Sequence, residues 1–148
     1  MLFLFSFLAC GDKDLDSGVV TEDTTEEVSG FDCTQEYALC GSLVVPNDFV
    51  GTTKNLTLAL YSSLPPMGPP DVILAQVSMP TIGVDQPYAI ELHPVTATGA
   101  YHLFVSLYME GGGDWMPVSG IDYMLATDAI TFAGTAVNLG ELNLELAE

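Results

Sequence analysis

The sequence contains no arginine and only two lysines, Lys13 and Lys54, against 20 acidic residues in a chain of 148. Its formal net charge is -18. Phosphate recognition relies on cations, so this shortage argues against nucleic acid as a partner. It argues equally against electrostatic docking on anionic lipid. Helical periodicity is missing after residue 36. Catalytic signatures are missing too: no G-x-S-x-G elbow, no H-E-x-x-H pair and no Gly-Lys-Ser/Thr phosphate loop. No cofactor motif is present. Yet 49% of the residues are hydrophobic, too many for a wholly disordered acidic chain. A folded body with an acidic surface is expected, one domain at most at this length.

The opening run Met1 to Ala9 carries no charge. A helix needs roughly 20 apolar residues to span a bilayer, and this run has the length of a signal-peptide core instead. An acidic, turn-rich stretch follows at Gly11. Between them, Phe7-Leu8-Ala9-Cys10 resembles the bacterial lipobox, in which a small residue precedes a cysteine that becomes lipidated. The resemblance implies that residues 1–9 are removed as a signal peptide. It also implies that the Cys10 thiol receives diacylglycerol and that the new amine takes a fatty acyl chain such as palmitate. No Asp follows Cys10 directly, which favours an outer-membrane lipoprotein, facing either the periplasm or the cell surface. Each buried methylene contributes about 0.8 kcal/mol, so two or three acyl chains form a firm anchor that needs no basic patch.

Residues 10–36 form the lipidated cysteine and an acidic linker. Nine acidic residues and one lysine occupy 11–36, with few apolar residues and no period. Such a chain repels itself and stays solvated. Within it, Asp12, Asp14 and Asp16 alternate as in calcium loops of the D-x-D-x-D type. Ser17 and Asp23 stand where an EF-hand loop has Gly and Glu, so an acidic spacer is the preferred reading and a metal site the alternative.

Apart from Cys10, the cysteines are Cys33 and Cys40. In an exported chain an even pair reads as a disulfide. A redox pair has closer spacing, as in C-x-x-C, and no second cysteine pair or nearby histidine supports a metal.

From residue 37 to 148 the chain reads as short strands separated by Pro and Gly. In "KNLTLALYSS" Leu56, Leu58 and Leu60 share one face, with Thr57, Ala59 and Tyr61 on the other. "LPPMGPP" is a rigid connection. "DVILAQVSMP" is apolar on both faces, as suits a central strand. "GAYHLFVSLYM" puts Tyr101, Leu103, Val105, Leu107 and Met109 together. In the last run Leu142, Leu144 and Leu146 are expected to face inward, with Glu141, Asn143 and Glu145 outward. Seven or eight such strands predict an all-β fold, a single antiparallel β-sandwich. A small barrel or a sheet with one added helix is the alternative.

The runs "LTLALYSSLPPMGPPDVILAQVSMP", "PYAIEL" and "GAYHLFVSLYMEGGG" resemble lipoproteins of predatory and gliding bacteria. They are also similar to the YbaY-type lipoprotein and type III secretion pilotin family, over roughly residues 41–127. The resemblance implies a small β-sandwich on a lipid anchor, in a family whose members include escorts of secretin subunits.

Functional candidates are few. His93 and His102 are the only histidines. Either has the chemistry of a general base, but no nucleophile motif accompanies them, and a lone histidine on a sandwich face is more often polar packing. The 20 acids offer many carboxylate pairs, which makes any one pair uninformative. "EGGGDWMPVSGIDY" is the most distinctive loop. Trp115 and Tyr123 either cap the core or, with Asp114 and Asp122, edge a contact site for a sugar or an extended peptide. Asn55-Leu56-Thr57 matches a glycosylation sequon that a bacterial lipoprotein gives no reason to use. The expected function is therefore non-enzymatic: a lipid-anchored envelope protein that binds another envelope protein or serves structurally. The alternative is a carbohydrate- or peptide-binding module using the Trp115 loop.

Overall fold

A computed structural model of the chain describes residues 31–148. Cys10, the expected signal peptide of residues 1–9 and Asp12, Asp14 and Asp16 lie outside the described residues. A compact unit runs from Phe31 to Glu148, so residues 31–36 go with the body. There Asp32 accepts hydrogen bonds from the Thr34 backbone N–H and hydroxyl, closing a turn. Cys33 and Cys40 then sit at disulfide distance, with Cα atoms 5.9 Å apart.

The unit is all-β, with eight strands: β1 (Leu39–Val44), β2 (Thr53–Tyr61), β3 (Val72–Ser78), β4 (Tyr88–Leu92), β5 (Gly99–Met109), β6 (Tyr123–Phe132), β7 (Val137–Asn143) and β8 (Glu145–Leu146). They form a three-stranded sheet in the order β4-β1-β7 and a five-stranded sheet in the order β3-β2-β5-β6-β8. One core lies between the sheets. Leu39, Leu43 and Ile90 enter it from the smaller sheet, and Leu56, Leu58, Leu60, Leu103, Val105 and Leu107 from the larger. The alternation of β2 and β5 thus reads as the sequence predicts, because side chains of successive strand residues point to opposite faces.

Three expectations need correction. First, the sandwich is not wholly antiparallel. β1 pairs with β4 antiparallel but with β7 parallel, and the β1–β7 register shifts between Cys40 and Ser42. Gly140 absorbs that shift at φ +64, a conformation glycine adopts without a Cβ penalty, and its N–H donates to Asn138 Oδ1.

Second, β3 is an edge strand of the larger sheet, not a central one. Its register against β2 shifts between Leu58 and Ala59, so Leu74 is an extra residue. Leu74 and Ala75 consequently both pack toward the core, while Ile73 and Gln76 point outward. The bulge makes a half-buried strand look apolar on both faces.

Third, the final run is divided between sheets. Leu142 ends within β7, Leu144 is buried, and β8 then joins β6 in the opposite sheet. Leu146, expected inside, is 45% exposed.

Candidate functional site

The loop Glu110–Ile121 is built around a single buried side chain. Asp122 is wholly inaccessible to solvent and begins the return into β6. One carboxylate oxygen accepts the Met109 N–H at 2.8 Å. The other accepts the N–H groups of Gly113 and Val118, both at 2.7 Å. A buried carboxylate needs such partners, and three backbone donors converging on one group fix both ends of the loop. The glycine run serves this cradle. A Cβ at Gly112 would overlap the Asp122 carboxylate, and one at Gly113 would overlap the Met116 carbonyl oxygen. The chain's last turn closes the arrangement: Ala147 N–H donates to the Asp122 carbonyl, and Gly120 N–H to that of Ala147.

With its base so fixed, the loop projects over the outer face of the five-stranded sheet. Asp114 pairs there with Lys54 of β2, the only lysine among the described residues. Trp115 follows and is 89% exposed. Below the loop lies an open cleft whose floor is the outward face of β2 and β5: Thr57, Ala59 and Tyr61 beside Phe104, Ser106 and Tyr108. Tyr61 and Phe104 meet edge to face, with centroids 5.8 Å apart. Ile73 and Gln76 of β3 form one wall, and Asp114 and Trp115 the other end.

Two phenols report the polarity of the cleft. Burial pushes the Tyr61 hydroxyl above its ordinary range, and the Asp71 charge adds to it. Burial pushes the Tyr108 hydroxyl up as well, a hydrogen bond with Ser106 pulls it partly back, and Asp122, Tyr61 and Asp114 add smaller upward contributions. A second negative charge is disfavoured at both places.

The four loop residues singled out in the sequence therefore separate. Trp115 and Asp114 stand at the cleft. Tyr123 is buried in the core against Phe49, with ring centroids 5.1 Å apart. Asp122 is a fixture of the loop and faces no solvent, so it is no part of a contact surface. Tyr61, Phe104 and Ile73 belong to the cleft and were not singled out. For Tyr61 and Phe104 the signal was present as aromatic residues on the strand faces opposite the leucines; the bulge in β3 hid Ile73.

The remaining candidates fall elsewhere. His102 Nδ1 donates to the Thr127 carbonyl oxygen at 2.9 Å, beside a register shift between β5 and β6. His93 is exposed just beyond β4. Asn55 lies within β2, and its Oδ1 is buried with no hydrogen-bond partner, so the sequon is not presented on a loop. Among the described residues, no three His, Cys, Asp or Glu side chains are grouped to hold a metal ion.

The edges of the sheets differ in a way that bears on function. Exposed strand edges invite pairing with other chains, and charged side chains blunt them. β4 carries Glu91, β7 carries Glu141 and β8 carries Glu145. β3, reading Val-Ile-Leu-Ala-Gln-Val-Ser, carries no charge at all.

No protein-family model, no curated protein and no solved structure matches the chain.

Proposed function

We propose that this chain is a non-enzymatic, lipid-anchored protein of the bacterial outer membrane that binds an extended segment of another envelope protein along β3. The observation that carries the reading is the uncharged edge of β3 in a protein of net charge -18. Among the described residues β4, β7 and β8 each bear a glutamate, and the stretch of β6 beyond β8 bears Asp128. Strand addition to an edge supplies affinity through backbone hydrogen bonds and specificity through alternate side chains. The Cys10 anchor and the acidic residues after it are the expected tether, consistent with the lipobox resemblance. The carbohydrate reading rests on the exposure of Trp115 and stands second.

Met79 N–H donates to the Lys54 carbonyl oxygen. The antiparallel register is unbroken from there to Gln76, and hydrogen-bonded pairs alternate along such a ladder. The Gln76 N–H therefore points away from β2, toward any added strand. Proline is tolerated at an edge where the N–H faces outward. Gln76→Pro should leave the thermal melt within a few degrees of wild type and abolish capture of a stoichiometric partner from detergent-solubilised envelope. Gln76→Ala should retain capture. Equal capture by the Pro and wild-type proteins would refute pairing at β3. Mass spectrometry of the mature N-terminus tests the anchor: an unmodified Met1 would remove it.

A further inference from the structure

The cleft beside β3 has a chemistry of its own. Its floor and end wall offer aromatic side chains: Tyr61 and Phe104 half-buried in the floor, and Trp115 exposed at the end. Its rim is acidic. Asp71 follows Pro70 of the cleft lining, and its carboxylate is held by the N–H of Ser62, next to Tyr61, at 2.6 Å. Asp114 stands at the opposite end, and Lys54, the only described lysine, is already engaged by it. The described body repeats the theme, since residues 31–148 carry 13 acidic residues against one lysine and no arginine, a balance that favours negative potential. An anionic occupant would meet no free cation. A neutral apolar occupant would leave the acidic rim unused. A cation gains twice, from the faces of the aromatic rings and from the carboxylates.

We propose that the cleft receives a guanidinium or ammonium group, carried by an Arg or Lys side chain of the segment that pairs with β3. The inference deepens the edge-binding reading and rests on it for the source of the cation. Side chains of an added strand alternate between the two faces of the sheet. Those on the outer face would lie beside Ile73 and Gln76, at the cleft wall. The partner segment is thus a basic, alternating strand, and opposite charges would steer it to this face.

Trp115 is the only tryptophan of the chain, so its fluorescence reports the cleft directly. The full-length protein in detergent would be titrated with three alternating peptides in which Val alternates with Arg, Gln or Glu. Ethylguanidinium serves as a fourth probe, because it has no backbone to pair with an edge. The Arg peptide should bind at least about tenfold more tightly than the Gln peptide at low ionic strength, with the gap closing near ~0.5 M salt. The Glu peptide should not bind. Asp71→Asn keeps an acceptor for Ser62 and should weaken the Arg peptide by about threefold or more, leaving the Gln peptide unchanged. Ethylguanidinium should perturb Trp115 emission at millimolar concentration and compete with the Arg peptide.

Equal affinity for the Arg and Gln peptides would overturn the cation site and leave pairing at β3 standing. A Trp115 response to ethylguanidinium without binding of any peptide would keep the cation site and overturn pairing at β3. No response to either the Arg peptide or ethylguanidinium would overturn the cation site. Binding of chitohexaose that ignores both salt and Asp71→Asn would assign the cleft to a neutral sugar and overturn it as well.

Discussion

The two faces of the five-stranded sheet are written by the same strands and have opposite characters. Facing inward, β2 and β5 present Leu56, Leu58, Leu60, Leu103, Val105 and Leu107, all buried. Facing outward, they present Thr57, Ala59, Tyr61, Phe104, Ser106 and Tyr108, of which Ala59, Ser106 and Tyr108 are buried and the other three half-buried. The inner face is branched aliphatic throughout, which suits close packing. The outer face mixes small residues with a phenyl ring and two phenols, which suits a surface that combines apolar contact with hydrogen bonding. Alternation alone produces both, so stability and recognition are separable by a shift of one residue along the strand.

The sharpest way to break this comparison is to cut the inner face. Leu58→Ala should cost about 2–5 kcal/mol, the usual range for a buried leucine. Its outer-face neighbour Tyr61→Ala should cost markedly less. Equal losses in chemical denaturation would mean that the outer face is also core. Asp122→Ala comes next. It strands three backbone N–H groups, and a loss of about 3 kcal/mol is expected. Limited proteolysis should then cut between Glu110 and Ile121, where the wild-type protein resists.

Removing the disulfide with the double change Cys33→Ser and Cys40→Ser tests the entrance to the body. Closing so short a loop restricts the unfolded chain by roughly 2–3 kcal/mol, and the loss should appear as a lower denaturation midpoint. An unchanged midpoint would mean that the cysteines are not bridged in solution. The smallest effect on stability should come from Lys54→Gln, since an exposed ion pair contributes about 0–1 kcal/mol. Its readout is local: Trp115 fluorescence anisotropy should fall as the loop loses its tie, while the melt stays put. A fall in both would show that the tie supports the sandwich as well as the site.

Much of the fold was legible because alternation and burial coincide on β2 and β5. β3 misled for a physical reason. A bulge at Leu74 turns two consecutive residues inward, so the strand reads apolar throughout although it lies at an edge. The division of β7 from β8 was hidden by the opposite effect. Both sheets border one core, and the leucine period passes from one to the other without a break at Leu144. The parallel pairing of β1 with β7 left no trace in composition, because no turn connects the two strands. At the site, Trp115 and Asp114 were visible as an unusual loop. The role of Asp122 was not, since its meaning lies in donors nine and thirteen residues earlier. Adjacent glycines, Gly112 barred from a Cβ by the Asp122 carboxylate and Gly113 by the Met116 carbonyl, were the available cue.

The parallel β1–β7 ladder has a kinetic consequence. β1 stands between β4 and β7, so the smaller sheet is incomplete until residue 143 is available. The larger sheet waits for less, because β3, β2, β5 and β6 pair within residues 53–132 and only the short β8 comes later. Contacts as distant in sequence as those of β1 with β7 slow folding, since the connecting chain must be closed before they contribute. A nascent chain that stops short of β7 can therefore pair most of the larger sheet but leaves β1 one neighbour short, and the core between the sheets is sewn shut only when β7 arrives.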